Sequence, residues 1–460
     1  MSENKLKRDL SVLNVWALAL GCIIGSGAFI LPGTVFLVKG GPAGTAIALV
    51  AAMLMMIIIA CNYDFMIKLY PEAGGEFIYA QKAFGRKNAF ICSWFLAFSY
   101  LVIVPQNAVA LAFICRTLSG SIFQSGFSYK IAGYEIYVGE IILSLFALVI
   151  FAVLTIRGVK ITGIIQTLLV FALISGVAAV MIAAIIRPES SIKNLKPAFN
   201  PEFKGYGGML GILAAAPWAF VGFDTIPQSA EEFNFFHGRT KYIMSFSIIL
   251  GAFIYIALNT ITASVIPEGY ADWAAYIKDV PNLDGIKSIP TFYVFYELLG
   301  EWGILFLELA VLGAVLSCIT GFYMAASRLL YSMAVKNFLP SWFGHLHEKY
   351  KTPDNAILFI MAVSMTAPFL GRSVWGWIVE MSSTGAAIGY AYTSAAALKT
   401  ALSNRNKNVI FMGLLGVIIS ALFLILLLVP ISALNSSLSF EAYICLGIWS
   451  LLGIIFYLYE

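Results

Sequence analysis

From residue 12 to the end of the chain, runs of about 20 apolar residues alternate with short polar breaks, the rhythm of helices crossing a bilayer one after another. The runs fall near 12–38, 41–67, 89–115, 137–156 and 163–187. After a polar loop they resume near 208–230, 242–266, 301–326, 355–371, 375–398, 408–431 and 441–459. This pattern predicts about twelve membrane helices, and an even count returns both termini to one side. Of the connections, "YPEAGGEFIYAQKAFG" (70–85) is expected along the inner surface and "IPTFYVFYELLG" (289–300) as an outer interfacial helix. "RLLYSMAVKNFLP" (328–340) reads as an amphipathic continuation of the eighth span. Nothing is long or low-complexity enough for a separate soluble domain.

Two spans carry residues that break helices. "GCIIGSGAFILPG" (21–33) crowds glycines and a proline into the first, and "APWAFVGFDTIPQ" (216–228) places Pro217, Gly222, Asp224 and Pro227 in the sixth. Glycine costs a helix interior about 1 kcal/mol relative to alanine, and proline about 3. Unwinding in hydrocarbon frees N–H and C=O groups that cost several kcal/mol each unless something pairs them. Interrupted spans at corresponding positions of two halves point to a secondary transporter's binding site. N–H groups freed at Gly25, Ser26 and Gly27, at the positive end of a half-helix, suit a carboxylate. Freed carbonyls of the sixth span suit an ammonium, and an amino acid zwitterion offers both. Gly21-x-x-x-Gly25 is also a small-residue packing motif; the matching break at 217–227 favours a site.

Composition agrees with the pattern. With 60% hydrophobic and 11% charged residues, the chain has too much apolar surface for a soluble fold. A net charge of +4 without a basic run gives no reason to expect nucleic acid. Lys and Arg divide roughly eighteen to ten in favour of the N-terminal side, predicting cytoplasmic N- and C-termini. The short polar start "MSENKLKRDL" lacks a cleavage site, so the first span is expected to remain. The six cysteines show no C-x-x-C pair and no ligand spacing, which predicts buried thiols and no metal site.

The segments "GCIIGSGAFILPG", "YPEAGGEFIYAQKAFG", "FVGFDTIPQSAEE", "RLLYSMAVKNFLP" and "TPDNAI" (352–357) together resemble the amino acid–polyamine–organocation superfamily of permeases along essentially the whole chain. The resemblance implies an all-α membrane fold with a five-plus-five inverted repeat of the leucine-transporter type and discontinuous first and sixth helices. The core would cover 1–400, with repeats at about 12–187 and 208–398, and two added helices would occupy 401–460. It implies alternating-access transport of amino acids or amines across the cytoplasmic membrane, by exchange or by H+- or Na+-coupled symport. No other cofactor is expected, and a homodimer is compatible. By the same resemblance, Ile24, Gly25, Ser26 and Gly27 hold the substrate carboxylate. Trp218 or Phe220 caps the site, with Val221 and the acidic Asp224 following, and Phe322 contributes from the eighth span with Tyr323 adjacent. Two departures stand out. The fifth span, "ITGIIQTLLVFALISGVAAVM" (161–181), lacks the lysine of many proton-coupled relatives, and Cys22 stands where some exchangers have a polar residue. The third span, "SWFLAFSYLVIV" (93–104), has few polar groups, which suits a smaller or more apolar substrate than arginine.

Acids inside membrane spans are functional candidates because charge there is costly. Asp224 reads as a substrate or gating acid, or as the cap of the second half-helix, and the two roles are compatible. Glu308 and Glu380 read as interfacial carboxylates and, lacking the fifth-span lysine, as the next candidates for proton coupling. Glu231 and Glu232 suit inner-gate ion pairs with cytoplasmic Arg or Lys, as does Asp64. No nucleophile elbow, phosphate loop or dinucleotide fingerprint occurs, so no enzyme is expected. The competing reading is a sensor of the same architecture that binds without translocating.

Overall fold

A computed structural model describes residues 6–118, 120–131, 133–202, 206–430 and 438–459, without the side chains of 372–376 and 459. Lys5 and Lys204, counted in the sidedness above, and the predicted end of the eleventh span at 431 lie outside the described residues.

The chain is helical almost throughout. Ser11 opens α1 (Val12–Ile23) with a capping box, in which its hydroxyl takes the Asn14 N–H and Asn14 takes the Ser11 N–H. The helix stops at Ile24, whose φ of −102° and ψ of 79° leave the helical region. It restarts as α2 (Gly27–Leu31), passes through a π-helical turn at Pro32–Phe36, and enters α3 (Leu37–Leu69), broken at Gly41. Then come α4 (Glu76–Phe84), α5 (Arg86–Leu118), α6 (Val138–Ile156) and α7 (Val159–Ile186). The sixth predicted span is cut into α8 (Gly207–Ala214), α9 (Ala216–Ala219) and α10 (Thr225–Gln228). α11 (Thr240–Ser264), α12 (Trp273–Asp279), α13 (Pro290–Leu299) and α14 (Glu301–Val335) follow. The chain closes with α15 (Asp354–Ser364), α16 (Ala367–Ser403), α17 (Lys407–Leu428) and α18 (Phe440–Tyr459). The described strands are one short antiparallel hairpin, Ser128–Ile131 with Tyr134–Tyr137, in a connection the sequence pattern left as loop.

Among the described residues nine stretches are long and apolar enough to cross a membrane. Fewer than the predicted twelve qualify for local reasons. Val12–Leu69 runs through two predicted spans, the sixth is in short pieces, and the tenth falls in α16, where residues 372–376 carry no described side chains. Apolar side chains such as Phe146, Leu168, Phe253, Ile418 and Leu451 stand exposed around the outside, the surface lipid tails would cover. The protein is an integral multi-pass membrane protein.

α1 lies at the centre, packed against α7, α11 and α14, while α5 packs against α14 and α16. α18 touches the rest mainly through α16 and α5.

Two connections differ from expectation. Residues 70–85 do not lie along a surface, because Glu76, Phe77, Ile78, Tyr79 and Ala80 are all wholly buried. Gly74 and Gly75, with φ of 101° and 42°, turn α4 into the bundle, where a Cβ on Gly75 would sit 3.0 Å from Pro227. Likewise, α14 does not become an amphipathic surface segment. Its residues Arg328 to Ala334 are buried.

Candidate functional site

The two breaks meet. Gly222, at φ 142°, presses its backbone onto the end of α1 so closely that a Cβ there would stand 2.5 Å from the Ile23 nitrogen. A Cβ on Gly27 would stand 2.6 Å from the tip of the Trp218 ring. Side chains from neighbouring helices take up the carbonyls that end α1. Ser317 donates to Gly21 at 3.2 Å, Tyr255 donates to Ile23 at 2.9 Å, and Cys318 approaches the Cys22 carbonyl at 3.8 Å. On the other side of the gap, Asn107 Oδ1 accepts the Ser26 N–H at a long 3.4 Å.

What stays unpaired is informative. Among the described residues no hydrogen bond reaches the N–H groups of Gly25 and Gly27, and the Ser26 hydroxyl does not cap α2. In the second break, the carbonyls of Ala219, Phe220 and Val221 accept none either. Buried backbone polar groups are almost always paired, so this concentration of free donors and acceptors is rare.

Gly25, Ser26, Gly27, Trp218, Val221 and Phe322 line a cavity of ≈ 20 Å³ with Gln106, Asn107, Tyr255 and Cys318. That is room for about one water. Trp218, Ser26, Gly27 and Gln106 also line a second cavity of ≈ 410 Å³, whose rim carries the exposed Thr34 and Glu380. The Trp218 ring therefore stands between a nearly closed pocket and a wide vestibule.

The family profile described as "Amino acid permease" matches residues 10–451. The chain belongs to this amino acid permease family, part of the amino acid–polyamine–organocation superfamily. The permease is similar to the branched-chain amino acid permease BcaP of Bacillus subtilis, 28% identical over 79% of this chain and 74% of the relative. It is also similar to the arginine/ornithine antiporter ArcD2 of Lactococcus lactis, 22% identical over 92% of this chain and 86% of the relative. The Lactococcus lactis BcaP is 25% identical over 85% and 82%.

The structure brings most of the expected residues together, but not all. Gly25, Ser26, Gly27, Trp218, Val221 and Phe322 line the pocket, whereas Ile24 is buried behind the break and does not. Phe220 turns away to set its ring edge against Tyr255, with centroids 6.3 Å apart, so Trp218 alone holds the capping position. Tyr323 also points away, donating to the Leu148 carbonyl at 3.1 Å. Asp224 is wholly buried but lines neither cavity. Its Oδ1 accepts the Gly222 N–H at 2.7 Å and Oδ2 the Tyr100 hydroxyl at 2.9 Å, and its side chain does not cap α10.

Of the other acids, Glu380 is exposed on the vestibule rim and accepts the Ser439 N–H at 3.0 Å. Glu308 is half-buried, with no hydrogen bond or ion pair among the described residues. Among the described residues Glu231 reaches only the Ala73 N–H, at 3.4 Å. Its neighbour Glu232 makes the gate-like contact instead. Arg328 grips it through Nε and Nη2 at 3.1 and 2.9 Å, with both side chains wholly buried. Beside that pair Leu10 bridges to Phe233, which ties the segment before α1 to the one that follows α10. Asp64 caps the start of α11 through Thr240 and the Lys241 N–H while pairing with Lys68 at 2.6 Å.

The pocket residues the sequence reading missed are Gln106, Asn107, Tyr255 and Cys318, together with Cys22, Ile23 and Ile103. The first two sit just beyond the 93–104 window, in "PQNA", where a proline followed by two amides inside an apolar run is a readable signal.

Proposed function

We propose that the permease carries a neutral amino acid with an apolar side chain by alternating access. The observation that carries this reading is the pairing of free main-chain donors at Gly25 and Gly27 with free acceptors at Ala219, Phe220 and Val221. A zwitterion's carboxylate would take the donors, aided by the positive end of α2, and its ammonium would take the acceptors. The side chain would meet Ile23, Ile103, Val221, Phe322 and Cys318. No Asp, Glu, Lys or Arg is among the pocket's lining. A cationic side chain would leave its charge unpaired, a penalty of roughly 3 kcal/mol or about 100-fold in affinity. Similarity to branched-chain permeases supports the same class.

Transport on this reading starts from the vestibule, with the N-terminal, cytoplasmic side shut by the Glu232–Arg328 pair and the Leu10 bridge. A pocket of ≈ 20 Å³ admits no amino acid until Trp218 swings aside. Rocking of the two five-helix repeats, about 12–187 and 208–398, would then close the vestibule and part the inner seal.

Purified protein in liposomes tests this. Labelled leucine, isoleucine and valine should enter saturably, and arginine and ornithine should compete about 100-fold more weakly. Ser26→Trp should abolish binding while the protein stays monodisperse. Absence of saturable flux for every amino acid offered, or undiminished binding by Ser26→Trp, would overturn the proposal.

A further inference from the structure

Glu76 has no part in the substrate pocket, yet it is wholly buried at the first turn of α4. Its Oε2 accepts from Gln228 at 2.5 Å, and its Oε1 accepts from the Tyr63 hydroxyl at 2.9 Å and lies 3.5 Å from that of Tyr100. The Tyr100 oxygen is also 2.9 Å from Asp224 Oδ2 and 3.2 Å from the Asp224 carbonyl. One phenol thus bridges two buried carboxylates, and among the described residues no Lys or Arg pairs with either.

Counting protons shows what this arrangement wants. Tyr100 has one hydrogen and three acceptors around it. With both acids ionised, two like charges compete for that hydrogen in a site without a cation, among the costliest arrangements a fold can hold. A single added proton completes the line: Glu76 O–H donates to Tyr100, and Tyr100 O–H donates to Asp224. The titratable groups facing Glu76 are Tyr63 from α3, Tyr79 from α4 itself, Cys92 and Tyr100 from α5, Asp224 from the helix break and Tyr390 from α16. No cation is among them.

A second observation points the same way. The Tyr79 hydroxyl is wholly buried, has no hydrogen-bond partner among the described residues, and is within electrostatic reach of both Glu76 and Asp64. Asp64 in turn pairs with Lys68, whose side chain is 42% exposed. Polar, proton-bearing groups therefore continue from Glu76 to the N-terminal face. Glu308 and Glu380 have no such enclosure.

Resting on the transport reading above, we propose that Glu76, linked through Tyr100 to Asp224, binds one transported proton and makes the permease a proton–amino acid symporter. Asp224 and Gln228 flank the moving break of the sixth span, so its rearrangement changes the partners of the Glu76 carboxyl and ties proton release to substrate release.

The test uses the full chain in liposomes with labelled leucine and a pH-reporting dye in the lumen. With the outside two pH units more acidic, one proton per substrate allows accumulation up to about 100-fold, since each unit is worth a factor of ten. Wild type should accumulate leucine and acidify the lumen. Glu76→Gln should only equilibrate it, near onefold and without acidification, while still exchanging labelled for unlabelled leucine. Glu76→Asp should restore part of the accumulation. If Glu76→Gln aggregates, Tyr100→Phe, which cuts the line but keeps both acids, should uncouple in its place. Gradient-driven accumulation by Glu76→Gln or Tyr100→Phe equal to wild type overturns the proposal. So does wild-type leucine transport indifferent to the gradient, which leaves the transport reading intact. No leucine flux or exchange in wild type overturns both.

Discussion

At the residue scale, the site depends on places where only hydrogen fits. Gly222 combines a φ of 142° with so close an approach that a Cβ there would lie only 2.5 Å from the Ile23 nitrogen. Alanine there adds backbone strain and overpacking together, roughly 2–3 kcal/mol. Gly222→Ala should lower the melting temperature in detergent and abolish leucine uptake; a variant that melts and transports like wild type would refute the close approach of the two breaks. Asn107 works by pairing, since it accepts the Ser26 N–H and donates to the Ile103 carbonyl and Cys318. Asn107→Leu should cost about 1–3 kcal/mol by orphaning those groups, and leucine affinity should fall with it. Equal affinity by isothermal titration would remove Asn107 from the site. Ser26 and Gly27 were legible in the sequence because glycine inside an apolar run is anomalous wherever it occurs. Asn107 left a signal that went unread, two amides after a proline inside an apolar run, whereas Glu76 left none, because an acid in a connection between spans reads as surface and only the fold reveals that it is enclosed.

At the scale of elements, apolar run length located most of the spans, since the bilayer imposes the same demand on each. It failed for α4 and the end of α14. Both look amphipathic, yet they are buried because they pack on each other's neighbours: a Cβ on Gly74 would collide with Ser332, and Lys336 pairs with Glu72 at 3.0 Å. The same region contains the Glu232–Arg328 pair, both partners at 0% exposure. Removing one partner of such a pair costs about 3–5 kcal/mol because the other charge is left buried and alone, whereas replacing both with apolar side chains is often near neutral. Glu232→Leu and Arg328→Met should each lower the melting temperature markedly, and the double variant should recover most of the loss. A strictly additive double variant would mean that the two side chains do not depend on each other. The double variant should also seal the N-terminal side less firmly, raising its accessibility to impermeant reagents from that face.

At the scale of the whole molecule, the Trp218 indole stands between the pocket and the vestibule, and on the transport reading the pocket is shut toward the N-terminus. Alternating access requires the same pocket residues to be reachable in turn from both faces, and a bound substrate must shield them in either state. Two of the free cysteines, Cys22 and Cys318, line that pocket, while Cys61, Cys92, Cys115 and Cys445 do not. This gives a built-in reporter. N-ethylmaleimide should modify Cys22 and Cys318 slowly, limited by how often Trp218 moves, and their modification should inhibit transport. Because only the unoccupied pocket reacts, leucine at about nine times its Kd should slow these two modifications about tenfold. The other four thiols supply the internal control, followed peptide by peptide by mass spectrometry. Leucine that protected none of the six, or all six alike, would mean that the ligand does not sit between the two breaks. Selective protection of Cys22 and Cys318 would put it there, against main-chain groups of both broken helices that lack partners among the described residues.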